Sequence, residues 1–257
     1  MRVEVLGLPV DVVAREEAVR LVMEAARSRA TPFRVVTLNP LMALAARKNR
    51  DLREAIRTAS LVVPDGVGAL WAVRRRLRKA GAPEGDAALI PGIDLMIDLL
   101  DAAEQGDVPI TLLGSREKTL AVASDTIKAS FPRIRIRGRF HGYFDPAKES
   151  EVVTALRKLE PGILFVGMGT PRQEVFLWKN APSVLFGAGI GVGGAIDIFG
   201  AKRKRAPEAL RRRRLEWVWR VLPSPSRWAQ VPRLLQFVLL VLLEQRRARR
   251  SRRRASA

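Results

Sequence analysis

The sequence predicts an α/β fold, a parallel sheet with helices on both faces, and three observations carry that expectation. Short apolar, β-branched runs alternate with helix-period segments over most of the chain. Nearly every such run ends in glycine or a small polar residue, the pattern of strands whose carboxyl ends admit a ligand to the backbone. The chain has 257 residues, 47% of them apolar, enough for one large core or a core with an appendage.

Taken in order, the N-terminus Met1-Arg2-Val3-Glu4-Val5-Leu6-Gly7 holds an acid and no long apolar region, so it does not read as a signal peptide. Strands are expected at 33–38, 61–64, 110–113, 133–138, 163–167 and 184–187. Helices are expected between them at 16–28, 40–47, 92–104, 117–130, 150–159 and 173–180. The segment from 163 to 174 is the most informative. A buried strand there ends in Gly167-Met168-Gly169, and a helix is expected with Thr170 as N-cap and Pro171 at its first position. Such a start aims backbone N–H groups and the positive end of the helix dipole at one point, which suits a phosphate. Arg172, Gln173 and Glu174, in the first turn, can reach the same ligand; an ordinary strand–helix turn is the other reading.

Near Gly200 the alternation stops. Residues 201–257 hold 18 Lys and Arg against 3 Asp and Glu, whereas the first 200 hold 28 against 23. The chain therefore divides into an α/β body, 1–200, and a basic appendage, 201–257, with helical segments near 207–221 and 226–249. Its last arginines, 246–254, are expected to be disordered when unbound. Trp228, Val231, Leu234, Leu235, Val238 and Leu242 recur at helical spacing. The uncharged stretch near 234–243 is too short to span a bilayer, which takes about 20 residues. Apolar run and charge together favour a membrane-surface helix over one merely packed on the body. Nucleic acid is the rival polyanion for the tail.

Composition removes several chemistries. With no cysteine there is no disulfide, thiolate metal site or cysteine nucleophile. The single histidine, His141, lies in a glycine turn, so a His-rich metal site is out and a Ser-His-Asp hydrolase hangs on one residue. No D-x-D pair signals a metal held on a nucleotide diphosphate.

The residues at the strand ends are the candidate substrate contacts: Thr37, Asn39, Asp65, Gly66, Gly68, Gly114, Gly142, Gly167, Gly169, Gly191 and Asp197, beside the Arg172-Gln173-Glu174 triplet. Asp65 is placed for general-base work, or to cap a helix starting near Val67. Thr37 and Asn39 can hydrogen-bond a sugar or diphosphate, though Asn39 fits a helix cap before Pro40 equally well. Gly189-Ile190-Gly191-Val192-Gly193-Gly194 matches the dinucleotide fingerprint literally. Asp197, however, follows almost at once, and the region about 20 residues on is basic and helical, which speaks against an NAD enzyme.

Together, Thr37-Leu38-Asn39, Val63-Pro64-Asp65-Gly66-Val67-Gly68, Pro91-Gly92-Ile93-Asp94, Gly142-Tyr143-Phe144 and the 167–174 run resemble the WecG/TagA/CpsF family of bacterial glycosyltransferases. The likeness continues in Gly191-Val192-Gly193-Gly194-Ala195-Ile196-Asp197, Arg205-Ala206-Pro207 and Leu215-Glu216-Trp217-Val218-Trp219-Arg220, and covers about residues 1–235 in the family's order. The resemblance implies a Rossmann-like fold and an inverting transfer that needs no metal or other cofactor. The donor would be a UDP-sugar carrying an N-acetylmannosamine-type or related hexose. The acceptor would be a sugar on undecaprenyl diphosphate, in surface-polysaccharide or teichoic-acid synthesis at the cytoplasmic face of the membrane, with self-association permitted. It places the catalytic base on Asp65, an active-site threonine on Thr37 and a donor-binding glutamine on Gln173. Arg205, Arg220 and Arg227 are the candidates for the departing diphosphate or the membrane. One departure stands out: the arginine the family tends to carry before its Pro-Gly is Leu89 here, which leaves Arg74, Arg75 or Arg76 to substitute. Removal of 201–257 is expected to abolish transfer and leave the body folded.

Overall fold

The computed structural model describes residues 1–85, 87–201 and 230–255, with side chains as far as Glu244. Arg205, Arg220, Arg227 and the helix expected near 207–221 lie outside the described residues.

The chain opens with a hairpin, β1 (Arg2–Val5) and β2 (Leu8–Asp11), whose turn residues Leu6 and Gly7 have φ of 53° and 74°. There follow α1 (Arg15–Ser28), β3 (Phe33–Leu38), α2 (Pro40–Ala46), α3 (Arg50–Arg57), β4 (Leu61–Pro64), α4 (Val67–Ala80) and α5 (Gly92–Gln105). Next come β5 (Ile110–Gly114), α6 (Glu117–Ser130), β6 (Ile136–Phe140), α7 (Glu149–Leu159), β7 (Ile163–Gly167) and α8 (Arg172–Val184). The described chain closes with β8 (Ala188–Gly191), α9 (Ala195–Phe199) and α10 (Val231–Ala255).

The expected α/β architecture is present: six strands in the order β4-β3-β8-β7-β5-β6, every pairing parallel. The strands are apolar on both faces because both are covered. Val35, Val63, Leu112, Phe165 and Ile190 pack under α1, α5, α6 and α9. On the other face, Val36, Leu38 and Val62 meet the hairpin, α2, α3, α4 and α10, while Leu113, Leu164 and Val166 meet α7 and α8.

Two strands fall later than expected. β6 begins at Ile136 rather than 133, after a turn in which Ile134 N–H bonds Phe131 C=O. β8 begins at Ala188, because α8 runs on to Val184 and closes at Leu185 with a φ of 57°. Its composition disguises it. A Cβ on Gly187 would lie 2.7 Å from Ala26 Cα, and one on Gly189 would lie 2.7 Å from Leu177 Cδ2, so helices press too closely for β-branched residues. Gly189 and Gly191 thus belong to the strand itself, whereas the dinucleotide fingerprint needs its glycines in the turn.

The described part of the appendage is in contact with the body. Phe237 and Val241 of α10 are buried in the body's core, and Glu244 accepts a hydrogen bond from Leu6 N–H at 3.2 Å and pairs with Arg76. Phe237 and Val241 share one core cluster with Val5, Leu38 and Met42. The helix runs on through 246–254, consistent with arginine being a good helix former. No helix among the described residues is long and apolar enough to cross a membrane.

Candidate active site

In a parallel sheet the strands deliver their carboxyl ends, and the N-termini of the helices that follow, to one edge. Here α2, α4, α6, α8 and α9 start there, and α5 joins them because Ile90 N–H bonds Pro64 C=O. Asn39 caps α2 by accepting from Met42 N–H at 2.9 Å, with Pro40 at the first position. The starts of α4, α5, α6, α8 and α9 carry no side-chain cap, so their backbone donors and dipoles face this edge.

Register sets the candidates side by side. Thr37 pairs with Val63 and Leu38 with Pro64, so Asp65 leaves β4 just beyond the end of β3, its N–H bonded to Leu38 C=O at 2.9 Å. Thr37 is 5% exposed; its Oγ1 donates to Gly191 C=O at 3.3 Å, and a Cβ on Gly92 would lie 3.2 Å from it. Asp65 is partly exposed beside Gly66, whose φ of 87° suits glycine. A Cβ on Gly68 would lie 2.8 Å from Pro40 Cγ, so that glycine lets α4 close on α2. Phe237 of α10 lines a small apolar crevice with Leu38, Asn39 and Ala69, which brings the appendage's helix to this end of the sheet.

Asp65 and the Gly167 turn share the edge but are three strands apart, about 14 Å at ~4.8 Å per strand. A nucleotide diphosphate spans that order of length. Around and beyond the Gly167 turn, glycines let the loops close. A Cβ on Gly114 would come within 2.5 Å of Gly167 O, one on Gly142 within 2.9 Å of Gly114 Cα, and one on Gly167 within 2.8 Å of Gly193 O. Ser115, with a φ of 55°, donates to Asp197 Oδ1 at 2.7 Å and ties the β5 loop to α9.

The triplet after β7 is arranged differently from expectation. The helix starts at Arg172 after a cis Thr170–Pro171 bond, and Thr170 Oγ1 donates to Glu174 Oε1 at 3.3 Å instead of capping the helix. Arg172 reaches Gly142 C=O at 2.7 Å and stacks over Phe144 at 4.7 Å. Gln173 and Glu174 are buried. The Glu174 carboxyl is pushed up to about 7 by burial, against bonds from Gln173, its own backbone and Thr170, and its Oε2 has no hydrogen-bond partner among the described residues.

Of the cations offered in place of the arginine missing at Leu89, Arg74 donates to Ala87 C=O at 3.2 Å, Arg76 pairs with Glu244, and Arg75 stacks over Trp71 at 5.8 Å. The loop after β6 also carries Tyr143, part of the Gly142-Tyr143-Phe144 motif. It is the only tyrosine of the chain and 65% exposed, with Arg116 5.5 Å from its ring.

The profile of the glycosyl transferase WecG/TagA/CpsF family matches residues 3–252. The chain is similar to the N-acetylglucosaminyldiphosphoundecaprenol N-acetyl-beta-D-mannosaminyltransferase of Bacillus spizizenii (strain ATCC 23059 / NRRL B-14472 / W23), 31% identical over 212 residues, 82% of this chain and 79% of the relative. The protein of the same name from Bacillus subtilis (strain 168) is 29% identical over 212 residues, 82% of this chain and 80% of the relative.

Proposed function

The chain belongs to the glycosyl transferase WecG/TagA/CpsF family and is a glycosyltransferase; from that premise we propose that it moves an N-acetylmannosamine-type sugar from a UDP-sugar to a sugar borne on undecaprenyl diphosphate. The observation that carries the reading is the convergence of Asp65, Thr37 and five uncapped helix starts on one sheet edge.

In this reading Asp65 takes the proton of the acceptor hydroxyl, whose oxygen attacks the anomeric carbon on the side opposite the leaving group. The bond from that carbon to the diphosphate oxygen breaks, its electron pair leaves with UDP, and the configuration inverts. Charge on the departing diphosphate meets helix N-termini and arginine, with Arg205, Arg220 and Arg227 of the appendage as the proposed contacts and no metal required. Exposed Tyr143 offers a face on which the uracil can stack.

The appendage supports lipid over nucleic acid as the surface partner. One side of α10 packs on the body, while Val231, Leu235, Val238, Leu239 and Leu243 stay exposed, Leu235 by 67% and Leu239 by 56%. An exposed apolar ridge beside a strongly basic tail suits an anionic bilayer face, here the cytoplasmic one where UDP-sugars occur. Replacing both Leu235 and Leu239 by glutamate should lower partition into anionic vesicles by about 100-fold, at ~1.5 kcal/mol or more per leucine, without lowering the melting temperature. Unchanged partition would remove the ridge from the membrane contact.

The test of the activity is a donor screen, offering UDP-N-acetylmannosamine, its uronic acid and UDP-glucose with a sugar on a polyprenyl diphosphate, with and without chelator. Turnover with the first donor and no chelator effect is the expected result. No turnover with any UDP-sugar, together with binding of NAD and not UDP, would sink the reading.

A further inference from the structure

Gln173 sits where the loops after β7 and β8 meet. Its Oε1 accepts from Gly169 N–H and Gly193 N–H, each at 3.1 Å, one donor from each loop. Both glycines are in the left-handed region, with φ of 77° and 54°. The other end of the amide, Nε2, donates to Glu174 Oε1 at 2.6 Å. A primary amide can face either way; an acceptor that holds the NH2 end turns the carbonyl end toward the two loop donors. Gly191 keeps this space open, since a Cβ there would lie 2.7 Å from Gln173 Nε2 and 3.2 Å from Glu174 Oε1. The carbonyl of the same Gly191 receives the Thr37 hydroxyl at 3.3 Å, so the arrangement continues into β3. With Gln173 2% exposed and both lone pairs of its Oε1 engaged, that oxygen has no capacity left for a ligand.

We propose that Gln173 is a positioning residue, oriented by Glu174, that locks the loops after β7 and β8 to each other. The inference rests on the glycosyl-transfer reading only for what the two loops bind; the coupling rests on geometry alone. A buried side chain that satisfies two glycine donors fixes backbone that glycine would otherwise leave free. The loops are then preorganised before a ligand arrives.

The experiment is hydrogen exchange on the full chain, followed in peptides covering 167–171 and 191–195, with a parallel UDP titration. Gln173→Met removes the acceptor and should raise exchange in both segments together by about tenfold. Glu174→Gln keeps an acceptor for the Gln173 amide and should leave both segments protected. Gln173→Glu sets one acceptor against another and should loosen both. Combining Gln173→Glu with Glu174→Gln exchanges donor for acceptor and should return protection to within about twofold of the parent, with UDP affinity returning alongside.

Exchange rising in one segment only, or in neither, would overturn the coupling. Protection restored in the double swap while UDP affinity stays lost would uphold the coupling and show that the amide also touches the ligand. If Gln173→Met does not fold, the double swap, of nearly equal volume, still decides the matter. Should the parent chain bind no UDP while the exchange pattern holds, the glycosyl-transfer reading falls and the coupling stands.

Discussion

The two halves of the sheet's carboxyl edge carry the same kind of sequence signal and put it to opposite uses. Beyond β3 and β4, Asp65 is partly exposed next to two glycines, with uncapped helix starts around it. Beyond β7 and β8, Gln173 and Glu174 are buried and bond to glycine N–H groups and to each other, while partly exposed Arg172 bonds to a carbonyl. A partly exposed polar residue after a strand, such as Asp65, can meet a ligand directly. Where burial closes on it, the same residue types build the wall of the site.

The sharpest way to break this contrast is at Asp65. Asp65→Asn should reduce turnover by about 10²- to 10⁴-fold while UDP affinity and melting temperature stay put. Loss of binding or of stability would make the β3–β4 half architectural as well.

Gly114→Ala tests the closed half. With a φ of 150° and a Cβ only 2.5 Å from Gly167 O, the substitution should remove about 3 kcal/mol of stability, roughly 6 °C or more in a calorimetric scan. A melting temperature unchanged by it would mean the loops have room to spare.

Glu174 should report the same closure through pH. Its carboxyl is at about 7 in the fold, above the 4.5 of an unburied glutamate, so between those values the folded state holds a proton the unfolded state has lost. This contribution to stability is complete below about pH 4.5 and is lost as pH rises through about 7. Glu174→Gln should accordingly melt higher than the parent above pH 7, by roughly 3 kcal/mol at most, and should match it near pH 4. Urea titrations at the two pH values check the sign, and a gain that persists in acid would show that burial is not the cause.

The smallest effect is expected at the rim. Tyr143→Ala should weaken UDP by about tenfold, the scale of one base-stacking contact, with little change in the turnover number. A loss of turnover at full affinity would assign the ring to the acceptor instead.

Much of this was legible in the chain. The β3, β4 and β7 runs are apolar and bounded by turn residues, and each was located at its observed limits. β8 was misplaced because its residues are small for a tertiary reason, the approach of Ala26 and Leu177, which no local pattern records. The cap by Asn39 was one of two open readings, since the same side chain serves either role until its partner is seen. The hairpin's turn, Leu6-Gly7, was present in the sequence and went unused.

By itself the sequence determined the layered α/β architecture, the family, the placement of Asp65 and Thr37 at strand ends and the accumulation of charge toward the C-terminus. Periodicity, glycine spacing and charge are local quantities, readable in one dimension. Only the tertiary structure decided that Gln173 and Glu174 face inward, that the glycines of β5, β7 and β8 are there for close approach, and that α10 is half core and half exposed ridge. Each of those outcomes depends on which atoms residues far apart in the chain bring within a few ångströms, and burial and hydrogen bonding between them set whether a polar group is free to act.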